Sequence, residues 1–186
     1  MRAATALDSG MDVATYQADA IGRDGTPLRI RAIQPDDKQG LRWGFARLSN
    51  AAIYHRFFQS KRELTGEELR YLTEVDFRDH VALVAETEVD GERRLVGVGR
   101  FVRKVQAGKR DRAEVAFTVG DEFQGRGVGT LLLEHLKRIA PELGVYYFDA
   151  EVLPDNRQML EVFEHSGLGI VERLKDGVVH VEMGLG

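Results

Sequence analysis

Cysteine is absent from this chain of 186 residues. That excludes a disulfide framework, a thiolate nucleophile and any zinc site built on cysteine, and it fits a reducing compartment. Long apolar runs are absent too. None approaches the roughly 20 residues that a bilayer-spanning helix needs, and no basic start leads into an apolar stretch at the N-terminus. Neither a membrane association nor a secretory signal is expected, which points to the cytoplasm. An excess of basic charge is also missing. Lys and Arg number 26 against 30 Asp and Glu, a formal net charge of -4, so no nucleic-acid partner is expected. A local nest of N–H groups can still hold a phosphate in an acidic protein. The five histidines, at 55, 80, 135, 165 and 180, include no His-x-x-x-His pair, and no metal site is expected.

What is present suits one globular domain with a sizeable core. Residues 1–12 are small and polar and are expected to form a flexible tail, leaving 13–186 as the folded unit. From Val13 to Ile33 two extended runs flank Arg23-Asp24-Gly25-Thr26, a hairpin signal. Pro35 opens a helix carrying Leu41, Phe45 and Leu48 on one face. Ser49 to Phe58 reads as a second helix, with Phe57 and Phe58 in the core. Thr65-Gly66-Glu67-Glu68 has the form of a capping box, and a helix follows through Leu72. His80–Thr87, Arg94–Val105 and Arg112–Val119 read as strands, joined by turns at Asp90-Gly91 and at 107–111, where Lys109 and Arg110 form a solvated tip. Gly125–Ala140 is expected to be helical, Val145–Val152 a strand and Asp155–Ser166 a helix. A hairpin around Asp176-Gly177 closes the chain. This order predicts an α/β fold with a mixed sheet rather than a uniform βαβ winding.

The sharpest segment runs from Val115 to Thr130. A strand leads by a short turn into Gly125, Gly127 and Gly129, which open a helix. Such a loop can turn several N–H groups toward one point, and the positive end of the helix adds to that field. Val128, Leu131, Leu132, Leu136 and Ile139 form one apolar stripe, with His135 at its edge as a core histidine. A glycine cluster can also be a plain strand-to-helix turn. No Gly-Lys-Ser/Thr is present for a Walker loop. A dinucleotide fingerprint needs a third glycine where Thr130 stands, although Asp149 lies at about the distance of its acidic residue.

Gln124-Gly125-Arg126-Gly127-Val128-Gly129 resembles the Gln/Arg-x-x-Gly-x-Gly/Ala loop of the GNAT superfamily of N-acetyltransferases. Asn156-Arg157-Gln158-Met159, leading to Phe163-Glu164-His165-Ser166-Gly167-Leu168, resembles the next block of that family. Leu48-Ser49, Tyr54-His55-Arg56-Phe57-Phe58, Leu72-Thr73-Glu74-Val75-Asp76 and Ala82-Leu83-Val84-Ala85 are similar to the acetyltransferase domain of bacterial Pat-type protein lysine acetyltransferases. Those often carry a second domain, either a nucleotide-binding regulatory one or an acyl-CoA-synthetase-like one, and neither is expected within these 186 residues.

The resemblance implies a single GNAT-like α/β domain whose mostly antiparallel, twisted sheet is flanked by helices. It implies acetyl-CoA as co-substrate, and as acceptor a lysine-bearing protein or a small amine. By the same resemblance Gly125, Arg126, Gly127, Val128, Gly129 and Thr130, with Gln124, hold pyrophosphate. Strand groups at Phe117, Thr118 and Val119 hold the pantetheine arm, with a backbone N–H near Val119 on the thioester carbonyl. Asn156 stands near the pantetheine, or serves as a helix cap.

A free lysine, with a pKa near 10.4, is almost wholly protonated at neutral pH, so attack needs a base. Ala113, Val115, Phe117 and Val119 alternate onto one face, leaving Glu114 with Ala116 and Thr118 on the other. On residues alone Glu114 is either a base facing a cleft or an edge charge in water; the resemblance implies the base. The family tyrosine that protonates the departing thiolate is matched by Phe163, which cannot donate, and His165 and Ser166 are the nearby donors. Two other functions remain open: a small-molecule amine N-acetyltransferase, and a non-catalytic acyl-CoA-binding module. A monomer and a homodimer fit equally.

Overall fold

The computed structural model describes residues 11–105 and 111–186. The first ten residues of the expected tail, and the expected turn at 107–111 except Asp111, including its expected solvated tip Lys109 and Arg110, lie outside them. Asp12 is tied down: its carboxylate accepts from Ala14 N and caps a 3-10 turn, Val13–Thr15. That turn stands where an extended run was expected, because Val13 is buried and the Asp12 cap satisfies the first free N–H.

Eight strands form one sheet in the order β1-β2-β3-β4-β5-β6-β8-β7. They are β1 (Gln17–Ile21), β2 (Pro27–Ala32), β3 (His80–Val89), β4 (Glu92–Arg103), β5 (Arg112–Val119), β6 (Tyr147–Val152), β7 (Gly169–Lys175) and β8 (Val178–Gly184). Only β5 and β6 pair in parallel. The hairpins lie where Asp-Gly pairs were read: Asp90-Gly91 and Asp176-Gly177 all take positive φ, as two-residue type I′ turns require.

Helices cover both faces. On one lie α1 (Lys38–Phe45), α2 (Asn50–Phe57) and α3 (Gly66–Thr73). Their apolar residues Leu41, Phe45, Ile53 and Leu69 pack on Ala82, Val84 and Leu95 of the sheet. Thr65 and Glu68 form the reciprocal capping box, Glu68 N to Thr65 Oγ1 at 3.1 Å and Thr65 N to Glu68 Oε2 at 2.8 Å. Phe58 departs from its expected core position. It ends α2 in the left-handed conformation, and its side chain faces solvent.

On the other face lie α4 (Val128–Glu142) and α5 (Arg157–Glu164). Val128, Leu132, Leu136 and Ile139 bury against Val115, Phe117, Phe101 and Phe148. Gly97 of β4 makes room for α4, since a Cβ there would stand 2.7 Å from Val128 Cγ1. In β4, Ala85 pairs with Gly97 and Glu86 with Leu95, so Val96 is the extra residue of a bulge. The bulge turns Leu95 toward α1 and Val96 toward α4. His135 is buried at the edge of the second core against Tyr16. Burial pushes its pKa down, with Arg138 adding to the effect.

Candidate active site

The site is built on the open end of β5. The bonds Lys104 N to Arg112 O and Gly120 N to Val96 O, both 2.9 Å, point the even-numbered backbone groups of β5 toward β4. Alternation then points the N–H and C=O groups of Val115, Phe117 and Val119 the other way. Their neighbour on that side is missing. The pairing of β5 with β6 ends at Glu114 and Asp149, while the pairing with β4 continues to Val119. The strands part, and one edge of β5 opens into a cleft.

That cleft has a volume of about 540 Å³, within the usual range for ligand sites. Phe117, Thr118 and Val119 line it from β5, and Gln124, Gly125 and Gly127 to Thr130 line it from the loop and the start of α4. Val128, Gly129 and Thr130 stand in the first helical turn, where N–H groups have no partner within the helix. Gly125 and Gly127 sit at φ +73° and +86°, which delays the helix to Val128, three residues after the expected start. A Cβ on Gly125 would meet nothing within 4 Å, so the loop leaves room for a bulky group there. Gln124 Nε2 donates to Val119 O at 3.2 Å and fastens the loop to the strand.

Arg126 alone of the predicted loop residues does not line the cleft. Its guanidinium turns to Asp24 at 3.2 Å and lies over the Phe123 ring. Its carbonyl accepts from Arg23 N at 2.8 Å. This brings the β1–β2 hairpin onto the loop and puts Arg23 in the cleft wall, a placement the sequence did not reveal because the two segments lie about a hundred residues apart. Asn156 lines the opposite wall and also caps α5, accepting from Met159 N at 3.3 Å. Helix α2 closes the side: Ser49 N donates to Asp121 at 3.2 Å, and His55 Nε2 lies 3.2 Å from Asp155.

The side chains of β5 alternate as the sequence suggested. Ala113, Val115 and Phe117 are buried against α4, and Glu114 is exposed on the opposite face with Ala116 and Thr118. Lys104 Nζ lies 3.3 Å from Glu114. Beside it Asp149 and Glu182 share Arg112, at 2.6 and 3.0 Å. Asp149 is thus committed to an ion pair within the sheet.

A second cavity of about 90 Å³ opens on the same face as Glu114. Leu41, Trp43, Phe57, Val98 and Ala116 give it an apolar lining, and Arg56 and Thr118 border both cavities. Arg100 also lines it while only 5% exposed. Its Nη1 bonds Leu72 O at 3.2 Å and His80 Nε2 at 2.9 Å. A guanidinium can only donate, so this network assigns His80 a lone pair on Nε2. Burial, with the Arg100 charge second, pushes His80 down to about 4. Burial and then Arg56 push Arg100 down to about 9, which leaves it charged at neutral pH. Arg100 was overlooked in the sequence; its signal was a cation inside the apolar run from Leu95 to Phe101.

Phe163 is buried and meets Phe117 edge-on, with centroids 6.0 Å apart, outside the cleft. Ser166 is buried and accepts from Leu168 N. His165 lines the cleft, with Nδ1 toward Glu161 O at 2.8 Å. Among the described residues no group of His, Asp and Glu could hold a metal ion, and no helix is long and apolar enough to cross a membrane.

The chain is 38% identical over 162 residues to the acetyltransferase Pat of Mycolicibacterium smegmatis, over 87% of this chain but only 46% of that protein. The crystal structure of the GNAT domain of S. lividans PAT superposes with a TM-score of 0.81 at 38% identity, covering 90% of this chain and 96% of that one. At 19% identity yncA of Salmonella typhimurium, solved with its cofactor acetyl-CoA, shares the fold, with a TM-score of 0.67 over 86% of this chain and 94% of that one. Residues 50–168 match the model of the acetyltransferase (GNAT) family, and the chain belongs to that family.

Proposed function

We propose that the protein is an acetyl-CoA-dependent N-acetyltransferase of the cytoplasm that acetylates lysine side chains of proteins, with Glu114 as general base and residues 13–186 as its catalytic domain. The cleft accommodates acetyl-CoA. The pyrophosphate lies against the N–H groups of Gly125 to Thr130, and the pantetheine runs along the open edge of β5. The thioester carbonyl accepts from an odd-numbered backbone N–H there, which stabilises the oxyanion of the tetrahedral intermediate.

The acceptor enters on the other side of Thr118. Glu114, directly or through one water, takes a proton from the ammonium. The amine nitrogen then bonds to the carbonyl carbon, the tetrahedral intermediate gives up its second nitrogen proton to water, the carbon–sulfur bond breaks and the thiolate leaves. A thiol with a pKa near 8.5 is a fair leaving group, so water can protonate it without a tyrosine at position 163.

The observation that supports this most is the position of Glu114. It is exposed at the point where β5 and β6 part, on the face that opens to the second cavity. That small, largely apolar cavity also favours a second reading, a small-molecule amine acceptor. Thiol release from acetyl-CoA, measured with a lysine-rich protein and with a panel of small amines, decides between them. Tight acetyl-CoA binding with no acceptor-dependent release would leave only a binding module.

A further inference from the structure

Two arginines border the second cavity, and the charge of one, Arg56, is felt by the Glu114 carboxylate. Arg100 is 5% exposed, a burial that a cation tolerates only when charge or hydrogen bonds compensate it. Both of its hydrogen bonds leave from one nitrogen, Nη1, and both go to neutral acceptors, Leu72 O and His80 Nε2. Arg56 borders the same cavity, and its cation lies over the Phe57 ring. Among the described residues neither guanidinium forms an ion pair with a carboxylate. Most of the remaining wall is apolar, from Leu41, Trp43, Leu72 and Val98, and Arg47, Asp121 and Glu122 also line the cavity.

We infer that the acceptor amine carries an anionic group, a carboxylate or its equivalent, that docks between Arg56 and Arg100. This rests on the acetyltransferase reading, which puts the amine at Glu114. The spacing is suitable. Arg100 pairs with Ala116, two residues from Glu114, and such diagonal neighbours lie about 7–8 Å apart. An acceptor with its amine and its anion separated by a few methylenes spans that distance, with the methylenes on the apolar walls. A planar carboxylate also matches the guanidinium fork. The like charge of Arg56 is one reason the Arg100 pKa is pushed down, and an anion between them relieves that repulsion.

The same chemistry has two sources: a small amine with its own carboxylate, or a lysine next to an acidic residue in a protein. Two matched pairs separate them. One is 6-aminohexanoate against 6-aminohexanamide. The other is a lysine peptide with Asp beside the lysine against the same peptide with Asn.

Initial rates give kcat/KM for each. Trp43, the only tryptophan in the chain and part of the cavity wall, gives binding by fluorescence without turnover, so that failure of the transferase reading is seen separately from failure of the anion site. The expected result is a preference of at least about tenfold for the charged member of one pair, in kcat/KM and in Trp43 titrations, equivalent to about 1.4 kcal/mol. That preference falls toward one in Arg56→Gln and in Arg100→Gln. A purely structural role for Arg100 lowers both members together and leaves the ratio intact. Preference in only the aminohexanoate pair or only the peptide pair identifies the source. Equal binding and equal kcat/KM within both pairs, or a preference that survives both substitutions, overturns the inference.

Discussion

Replacing Gly127 by alanine tests whether the loop is shaped by backbone conformation. Gly127 sits at φ +86°, where a residue with a Cβ costs roughly 1–2 kcal/mol. The added Cβ would stand 3.0 Å from Arg23 Cγ, but that neighbour is a long exposed side chain and can give way. For a chain of this size each kcal/mol moves the melting temperature by about 2–4 °C, so Gly127→Ala is expected to melt roughly 2–8 °C lower. Because the strain is relieved by turning the loop, the N–H groups of Val128 and Gly129 lose their common aim and the KM for acetyl-CoA rises. Gly129→Ala is the control. Its φ is not positive and its Cβ would meet Val162 at 3.6 Å, an ordinary contact. Alanine is also the better helix former by roughly 0.5–1 kcal/mol, so its melting temperature should hold or rise. Thermal melts and acetyl-CoA saturation curves of both variants decide the matter. A Gly127→Ala protein with wild-type melting and KM, or a Gly129→Ala protein that loses as much stability, would refute the reasoning.

Arg23→Ala removes a cation from the cleft wall and should raise the KM for acetyl-CoA roughly threefold to tenfold, with little change in kcat and less effect at high salt; an unchanged KM at low salt contradicts the placement. Phe163→Tyr restores the family's hydroxyl in a position that is 1% exposed, so it should cost about 1–3 kcal/mol for an unpartnered buried group without raising kcat; a faster enzyme would mean that this side chain reaches the thiolate. His80 is neutral in the fold, with its pKa pushed from 6.5 to about 4. The unfolded chain therefore binds more protons between those values, and stability, complete above pH 6.5, falls as the pH drops from 6.5 toward 4. Denaturant midpoints across that window should show a slope that flattens in His80→Gln; an identical slope contradicts it.

Local chemistry made much of this molecule legible in the sequence. The Asp-Gly turns, the Thr65–Glu68 capping box and the two-residue alternation of β5 depend on neighbours in the chain, and all lie where their residues indicated. The glycine loop was legible because its spacing is a backbone requirement. Features made by distant segments were not. The parting of β5 and β6 depends on how far β6 reaches, and the contact of Arg23 with Arg126 depends on the turn of a hairpin. The buried pairing of Arg100 with His80 joins two strands to the end of α3. Phe58 misled because hydrophobicity indicates burial, whereas its left-handed cap conformation directs the side chain outward.

If Glu114 takes the proton from the attacking amine, removing its carboxylate must slow the transfer itself. The most direct measurement compares acceptor-dependent CoA release by wild type and Glu114→Gln, with acetyl-CoA affinity measured alongside. The expected result is a fall of at least ~10²-fold in kcat with acetyl-CoA binding retained. A Glu114→Gln protein that works within a few-fold of wild type across neutral pH would contradict it.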